Sequence, residues 1–198
     1  MIRKLKRIAA RLQRILKGHP WVVVNVDGLV IAGRTKYHSK YLWKLQSGQK
    51  ESFMAELFKK AVKSGTEVID IGAFVGYYSL LAATRGAMVY AFEPDPRSFP
   101  ALVRNVNMNG LNGRISLYNK AVADANKSGT AQIFLNRDPS QTSLFLPMAN
   151  TTVETVQSVA LDDYLDQTLT PNVVKMDLEG GEPHALRGME SMIARAQT

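Results

Sequence analysis

The sequence predicts an α/β fold in which a parallel β-sheet carries helices on both faces. From Glu67 onwards, short apolar runs of strand length alternate with segments of helical periodicity. Two of these runs end in an acidic residue, Asp70 and Glu93, and the first leads into a loop with two glycines. Alternation of this kind is typical of parallel sheets, because each crossover helix returns the chain to the same edge.

Composition indicates one globular domain. The chain has 198 residues, of which 45% are hydrophobic and 21% are charged. It has no cysteine, so disulfides and thiolate metal sites are excluded, and no apolar run approaches the roughly 18 residues that span a bilayer. The N-terminus lacks the apolar region of a secretory signal, and we expect a cytoplasmic protein.

Positive charge is concentrated in the first third of the chain. Residues 1–65 hold 15 Lys and Arg against 3 Asp and Glu, whereas residues 66–198 hold 10 against 14. We therefore distinguish an N-terminal segment, 1–65, from a nearly neutral domain, 66–198. Residues 2–17 have the pattern of a basic amphipathic helix. Three roles are compatible with this helix: packing on the domain, peripheral contact with an anionic membrane surface, or binding of nucleic acid. A mitochondrial presequence has a similar pattern.

The elements follow in order along the chain. Two β-rich runs around Asp27-Gly28 predict a hairpin, and residues 51–63 predict a helix. The alternating region comprises strands 68–71, 88–92, 115–119 and 173–176, helices 77–84, 98–108 and 183–194, and an added β pair, 131–135 and 155–160. We assign the asparagines before strand 115–119 to turn formation rather than to ligand binding. The polar loop 136–154, with Leu144 and Phe145, is expected to border a substrate site.

The loop after the first strand of the sheet is the first candidate for ligand binding. Gly72 allows a tight turn, and Gly76 allows the next helix to start close to the strand. Glu93 lies 23 residues after Asp70, at the end of the neighbouring strand, where an acid can accept both ribose hydroxyls. We expect these groups to face one adenosine-bearing ligand. The alternative interpretation is a structural turn, with Glu93 as a helix cap.

Two further strand ends complete the predicted site. Ala121 and Val122 are small apolar residues that could enclose an adenine ring. The last strand delivers Lys175, Asp177 and Glu179 to the same sheet edge, on one side if the chain stays extended. Two carboxylates and an ammonium in such a cluster neutralise one another or serve a ligand.

Taken together, the motifs resemble the FkbM family of S-adenosylmethionine-dependent methyltransferases. The resemblance runs from about Gly65 to Arg195 and rests on the segments DIGAFVGYYS, AFEPDP, NVNMNG, LDDYLD and KMDLEGGEPHALRGME in this order. It implies a class I methyltransferase, Rossmann-like fold, S-adenosylmethionine as the cofactor, and methylation of a hydroxyl on a small molecule or saccharide.

The resemblance also implies roles for single residues. Asp70, Gly72 and Gly76 match the cofactor loop, to which we also assign Ala73, and Glu93 matches the ribose acid. Asp177 and Glu179 match the Asp-x-Glu-Gly signature of the active-site edge. We expect one of them to be the general base or to orient the acceptor, with Lys175 tuning their charge. The same carboxylates could hold a divalent cation, which we do not predict.

The chain departs from the family pattern at two places. Family members usually have Asn at the position of Phe74, whose side chain offers no hydrogen bond, so binding of the methionine tail is expected to differ. The chain also stops at Thr198, before the last strands of the expected fold. We therefore expect a fragment, or a short homologue completed by a partner such as a second copy.

Two other functions compete with small-molecule methylation. The basic N-terminal segment would suit a nucleic-acid methyltransferase, but the Asn-Pro-Pro-Tyr type of motif of base amino-methyltransferases is lacking, which disfavours nucleic acid as a partner. The third candidate is a truncated cofactor-binding module without catalysis.

Overall fold

The computed structural model describes residues 20–125, 128–136, 138–143 and 151–196. The basic segment 2–17 and the loop residues Leu144 and Phe145 lie outside these ranges, so the interpretations of them stay predictions. Within the described ranges, no helix combines the length and apolar character needed to cross a membrane.

The described chain begins with the predicted β-hairpin. Strands β1 (Trp21–Val26) and β2 (Leu29–Arg34) pair antiparallel. The two turn residues, Asp27 and Gly28, have φ angles of 52° and 77°. Two successive positive φ angles are what a type I′ turn requires, so the Asp-Gly dipeptide fixes the hairpin as predicted.

Two helices follow the hairpin, and only the second was predicted. Helix α1 (Thr35–Gln46) starts directly after β2 without a capping side chain and buries His38, Leu42 and Leu45. The polar His38 begins this inward-facing series, and Arg34 is a poor N-cap, so the sequence gives no clear helix signal here. Helix α2 (Ser52–Ala61) matches the predicted helix 51–63 apart from its ends.

The main sheet confirms the predicted α/β class. Its four parallel strands lie in the order β5-β4-β3-β9. The strands are β3 (Glu67–Ile71), β4 (Met88–Phe92), β5 (Ile115–Tyr118) and β9 (Val173–Met176), with helices α3 (Tyr77–Thr84) and α4 (Phe99–Met108) between the first three. These bounds differ from the predicted ones by at most one residue at each end.

Residues along the strands alternate between two hydrophobic clusters, one on each face of the sheet. Val68 and Val89 belong to a cluster that also contains hairpin, α1 and α2 residues. Ile69 and Phe92 belong to the other, which contains residues of the C-terminal helices. The sheet is therefore covered on both sides, and the segment before residue 65 shares a core with the sheet.

A second sheet holds the predicted β pair. Strands β7 (Gly129–Leu135) and β8 (Thr152–Val159) are antiparallel, and the short strand β6 (Ala121–Val122) joins β8 in parallel. A 3₁₀ turn (Pro139–Gln141) lies between β7 and β8.

The prediction of one helix over 183–194 is wrong. After the short helix α5 (Leu161–Tyr164), the structure has α6 (Glu182–Arg187) and α7 (Glu190–Arg195). Gly188 separates them and packs so tightly on the backbone of Ala123 that a Cβ atom would overlap its carbonyl oxygen. The carboxylate of Asp162 accepts the N–H groups of Ser191 and Met192 at 2.9 and 2.8 Å, so it caps the start of α7.

Two asparagines of α4 and its C-cap pair with the hairpin, which corrects their assignment to turn formation. The Asn105 amide donates to the carbonyl of Ala32 at 2.9 Å and accepts its N–H at 2.7 Å. The Asn109 amide bonds both backbone groups of Val30 in the same way, at 2.7 and 3.0 Å. Each side-chain amide thus replaces a peptide unit of a neighbouring strand and fixes β2 against the helix.

Candidate active site

A cleft opens at the carboxyl ends of β3, β4 and β9. The loops that follow these strands form its floor, and the segment between α1 and α2 and the polar loop after β7 form its sides. It is lined by Tyr41, Lys50, Glu51, Gly72, Ala73, Phe74, Tyr77, Tyr78, Glu93, Pro94, Ile133, Pro139, Ser140, Thr142, Ser143, Lys175, Asp177, Leu178 and Glu179. Ligands of open α/β sheets bind at this edge.

Glu93 ends β4 on the cleft wall with its carboxylate almost completely buried. Its Oε2 accepts the N–H of Phe74 at 2.7 Å, and its Oε1 accepts the N–H of Asp95 at 2.8 Å. Burial raises the pKa of Glu93 to about 7. Because each oxygen has two acceptor positions, the carboxylate can still accept two hydrogen bonds from a ligand. These contacts join the loops after β3 and β4. Glu93 therefore does not act as the helix cap of the alternative interpretation.

Gly72 and Ala73 form the floor of the cleft. Their N–H groups both donate to the carbonyl of Phe92 at 2.9 Å, which fixes the loop over the end of β4. Gly72 has a φ of 75°, and a Cβ atom there would overlap the carbonyl oxygen of Asp177. Glycine is therefore required both for the turn and for the approach of the loop after β9.

Asp70 and Gly76 support the cleft without lining it. Asp70 is fully buried; its Oδ2 accepts the Ser79 hydroxyl at 2.6 Å, and its Oδ1 lies 3.2 Å from Nζ of Lys175. Gly76 precedes α3 with a φ of 91°, and a Cβ atom would lie 2.5 Å from Cδ1 of Leu102. The structure thus places Asp70 behind the loop, where it holds Lys175, and not on the ligand side as predicted.

Lys175, Asp177 and Glu179 all line the cleft, although not for the predicted reason. Strand β9 ends at Met176, and Glu179 has a φ of 49°, so the chain does not stay extended. Lys175 donates to the carbonyl of Gly72 at 2.8 Å. Burial and, next, the nearby Asp177 raise the pKa of the Glu179 carboxyl. Two carboxylates and a positioned ammonium are thus available on one wall.

Ala121 and Val122 do not line this cleft. They form β6, pair with Ser158 and Val159 of the second sheet, and are 1% exposed. Their side chains belong to the hydrophobic clusters of that region. The predicted contact with an adenine ring in this cleft is therefore not what the structure shows, because the chain has already turned into the second sheet.

One wall comes from the N-terminal segment, which motif reasoning missed. Tyr41, Lys50 and Glu51 line the cleft. The Tyr78 hydroxyl donates to Oε2 of Glu51 at 2.8 Å, and Nζ of Lys50 lies 3.8 Å from the other oxygen. Glu51 has a φ of 69°, which is costly for a residue with a side chain. No sequence motif surrounds Lys50 and Glu51, so their position could not be inferred.

Phe74 occupies the position where the family pattern has Asn. Its φ of 55° lies in the left-handed region, which Asn tolerates better than other residues with side chains. The Phe74 ring packs edge-on against His38 and Tyr41, with centroids 5.2 and 4.9 Å apart. Phe74 therefore docks α1 onto the cofactor loop, a contact that an Asn side chain would not make.

The loop after β4 is fixed to the polar loop after β7. The buried Asp95 carboxylate accepts from Arg97 at 2.6 Å and from the Thr142 hydroxyl at 2.9 Å. Arg97 also donates to the carbonyl of Asn136 at 2.6 Å. Part of the loop 136–154 thus borders the cleft, through Ser140 and its neighbours, and its contact with a substrate stays a prediction.

Curated relatives match different parts of the chain. Hexuronic acid methyltransferase AglP of Haloferax volcanii is 20% identical over 92% of this chain and 78% of its own length. The tRNA (guanine(37)-N(1))-methyltransferase of Aedes aegypti is 32% identical over 52% of the chain, which spans only 18% of that protein. Among solved structures, M. jannaschii TYW2 in complex with AdoMet has a TM-score of 0.42 and 17% identity, covering 52% of this chain and 51% of that one.

The family match covers most of the chain. Residues 70–198 match the Methyltransferase FkbM domain, which includes the cofactor loop, Glu93 and the Asp-x-Glu-Gly stretch. This result confirms the predicted enzyme class of methyltransferase and, with it, S-adenosylmethionine as the cofactor of the class. The chain belongs to the FkbM methyltransferase domain family.

Proposed function

We propose that the protein transfers a methyl group from S-adenosylmethionine to a hydroxyl oxygen of a small molecule or saccharide. One observation carries this proposal: the buried Glu93 carboxylate and the Asp177 and Glu179 carboxylates lie on walls of the same cleft. The first suits a ribose, and the other two suit a hydroxyl that must lose its proton. The relative AglP is named for methylation of a hexuronic acid, which supports a saccharide.

The cleft residues fit the cofactor. Glu93 has two free acceptor positions for the two ribose hydroxyls. Gly72 and Ala73 leave room for a ligand against the backbone. The carboxylates of Asp177 and Glu179 are opposite in charge to the cofactor's sulfonium sulfur, a charge that S-adenosylhomocysteine lacks. When bound, the cofactor supplies a methyl group on a positively charged sulfur.

The last loop supplies the groups for proton removal. Asp177 or Glu179 would accept the proton of the acceptor hydroxyl, whose oxygen would form the new bond to the methyl carbon as the carbon–sulfur bond breaks and its electron pair stays on sulfur. Burial raises the pKa of the Glu179 carboxyl and strengthens it as a base. Lys175 contacts Asp70 and the carbonyl of Gly72. These contacts fix the end of β9, and so the loop with Asp177 and Glu179, against the floor of the cleft. Much of the rate enhancement would come from such positioning.

The remaining walls suit a hydroxyl-rich acceptor. Tyr78 and Glu51 form a hydrogen-bonded pair on one side, and Ser140 and Ser143 lie on the other. Lys50 adds a positive charge near Tyr41, with its Nζ 5.0 Å from the ring centre. An aromatic ring can contact the apolar face of a sugar while polar groups around it bind the sugar hydroxyls. A lysine suits a sugar that carries a carboxylate.

Calorimetry with S-adenosylhomocysteine, followed by transfer of labelled methyl groups to glucuronides and matched neutral glycosides, tests the proposal. We expect cofactor binding and labelling of a saccharide. Asp177→Asn and Glu179→Gln should each leave the S-adenosylhomocysteine affinity within about threefold. One of them should lower kcat by about 10²-fold or more, as loss of a general base does. Binding without transfer to any acceptor would instead favour the non-catalytic module.

A tRNA acceptor is the second candidate, because two relatives that match 52% and 41% of the chain are named for tRNA modification. Residues 1–65, with 15 basic against 3 acidic side chains, would supply the electrostatic contact. Salt-sensitive retention of tRNA together with labelling of tRNA would establish this function. Retention without labelling would leave the saccharide proposal in place.

A further inference from the structure

Helix α2 is apolar on two sides. Its inner side, with Ala55 and Phe58, packs into the core. Its outer side carries Phe53, Met54 and Leu57, which are 78%, 52% and 52% exposed. Single exposed apolar residues are ordinary, but three large ones within five positions of one helix form a patch. We call these three residues the outer face of α2.

The surroundings of the outer face are basic. The described residues 20–65 contain eight Lys and Arg against three Asp and Glu. Lys60 and Lys63 are exposed at and beyond the end of the helix, and Lys50 precedes its start. Glu56, on the same helix, is paired with Lys59 at 2.8 Å. The patch is therefore apolar with a positively charged border.

We propose that the outer face of α2 docks on an anionic lipid bilayer. Exposed Phe, Met and Leu side chains with flanking lysines are the features by which an amphipathic helix lies in a membrane interface. Lysines near an anionic leaflet are attracted to it, whereas two copies of this basic surface repel each other. The charge thus favours a membrane over a second copy of the chain as the occupant.

Docking by this face would place the start of α2, and with it one wall of the cleft, near the lipid headgroups. Lys50 and Glu51 line the cleft and lead directly into α2. An acceptor carried on a membrane lipid would reach the cleft from this side. The docking surface itself does not depend on the proposed acceptor, since it is formed by residues outside the cleft.

Vesicle sedimentation with the full chain tests this proposal. The protein should sediment with phosphatidylcholine vesicles containing about one third phosphatidylglycerol and much less with phosphatidylcholine alone. The double variant Phe53→Ser, Leu57→Ser should weaken binding at least about tenfold. Lys60→Glu, Lys63→Glu should weaken it on anionic vesicles only. Leu186→Ser is the matched control. Leu186 is 43% exposed on α6, whose buried residues belong to the hydrophobic cluster on the opposite face of the sheet from α2, so this change should leave binding unchanged.

Three results would overturn the proposal. The first is that the wild-type chain does not bind anionic vesicles. The second is that Phe53→Ser, Leu57→Ser binds as tightly as the wild type, which would assign the interaction to another segment such as residues 2–17. The third is a wild-type dimer in solution that the double variant converts to a monomer without any vesicle binding. Circular dichroism checks that each variant is folded, as expected for changes of exposed residues.

Discussion

The carboxylate of Glu93 accepts the backbone N–H of Phe74 at 2.7 Å, so the end of β4 holds the loop that follows β3. A buried acid thereby shapes the cofactor loop while it presents unused acceptor positions to the cleft. This dual role makes the ionisation of Glu93 measurable in ligand binding.

We predict that the affinity for S-adenosylhomocysteine rises with pH. Burial raises the pKa of Glu93 to about 7, and the charge of Asp95 acts in the same direction. The N–H groups of Asp95 and Phe74 and the charge of Lys175 oppose this rise. If the ionised carboxylate binds the ribose, the Kd at pH 6 should be about tenfold weaker than at pH 8. Calorimetry at both pH values measures this ratio, and Glu93→Gln should bind weakly with a flat profile. An equal pH dependence in Glu93→Gln would show that another group is responsible.

Gly72 is expected to be far less replaceable than Gly28, although both have similar φ angles of 75° and 77°. An added Cβ has open space at Gly28 and overlaps the carbonyl oxygen of Asp177 at Gly72. Gly28→Ala should lower the free energy of unfolding by about 1 kcal/mol through backbone strain alone. Gly72→Ala should cost about 3 kcal/mol or more and abolish cofactor binding.

Urea unfolding and calorimetry compare these two glycine variants. The difference between them isolates the contact between the loops after β3 and β9. Equal losses of stability would mean that this contact is relaxed easily.

Asn105 should be important for stability despite its distance from the chemistry. Its buried amide bonds both backbone groups of Ala32 and the carbonyl of Val75. Asn105→Ala leaves these groups without that partner and should lower the free energy of unfolding by about 3 kcal/mol. Asn107→Ala, in the exposed part of the same helix, should change it by less than about 0.5 kcal/mol. Similar urea midpoints for the two variants would contradict this role.

Two buried groups should give opposite pH dependences of stability. Burial lowers the pKa of His38 to about 4. The contribution of neutral His38 to the free energy of unfolding is therefore full above pH 6.5 and is lost as the pH falls towards 4. The raised pKa of Glu93, about 7, acts in reverse: its contribution is full below about pH 4.5 and is lost as pH rises through 7. Between pH 4.5 and 6.5 the two dependences largely cancel.

The variant Glu93→Gln separates these contributions. Between pH 5 and 6.5 its unfolding free energy should fall with decreasing pH more steeply than that of the wild type, by about 1.4 kcal/mol per pH unit. Urea titrations at several pH values give both slopes. Parallel slopes would show that Glu93 is ionised normally in the folded protein.

The sequence was sufficient for the parallel sheet because its signals are local. Apolar runs such as 68–71 and 88–92 are bounded by glycines, prolines and acids, and the strands begin and end within one residue of the predicted positions. The hairpin followed equally well from Asp27-Gly28. Helix α1 was missed because its buried residues include His38, which is stabilised by contacts from distant segments, with its Nε2 3.3 Å from the Ser98 hydroxyl.

The site was predictable only where strand ends form it. Gly72, Ala73, Glu93, Lys175, Asp177 and Glu179 were identified from the strands that precede or contain them, and all six line the cleft. Glu51 and Tyr41 come from helical segments whose position depends on tertiary packing, which no local pattern encodes. Asp70 was expected to face the ligand and lies behind the loop instead, because its partners Ser79 of α3 and Lys175 of β9 come together only in the folded protein.

The pairing of Asn105 and Asn109 with β2 also bears on how the protein avoids self-association. An exposed strand edge can recruit a strand from another molecule and so begin an aggregate. The two side-chain amides occupy the backbone groups of Val30 and Ala32 that such a strand would need. Loss of either asparagine would leave these groups unpaired, so any separation of α4 from β2 would offer them to another strand, and we expect lower solubility of the variants beside their lower stability.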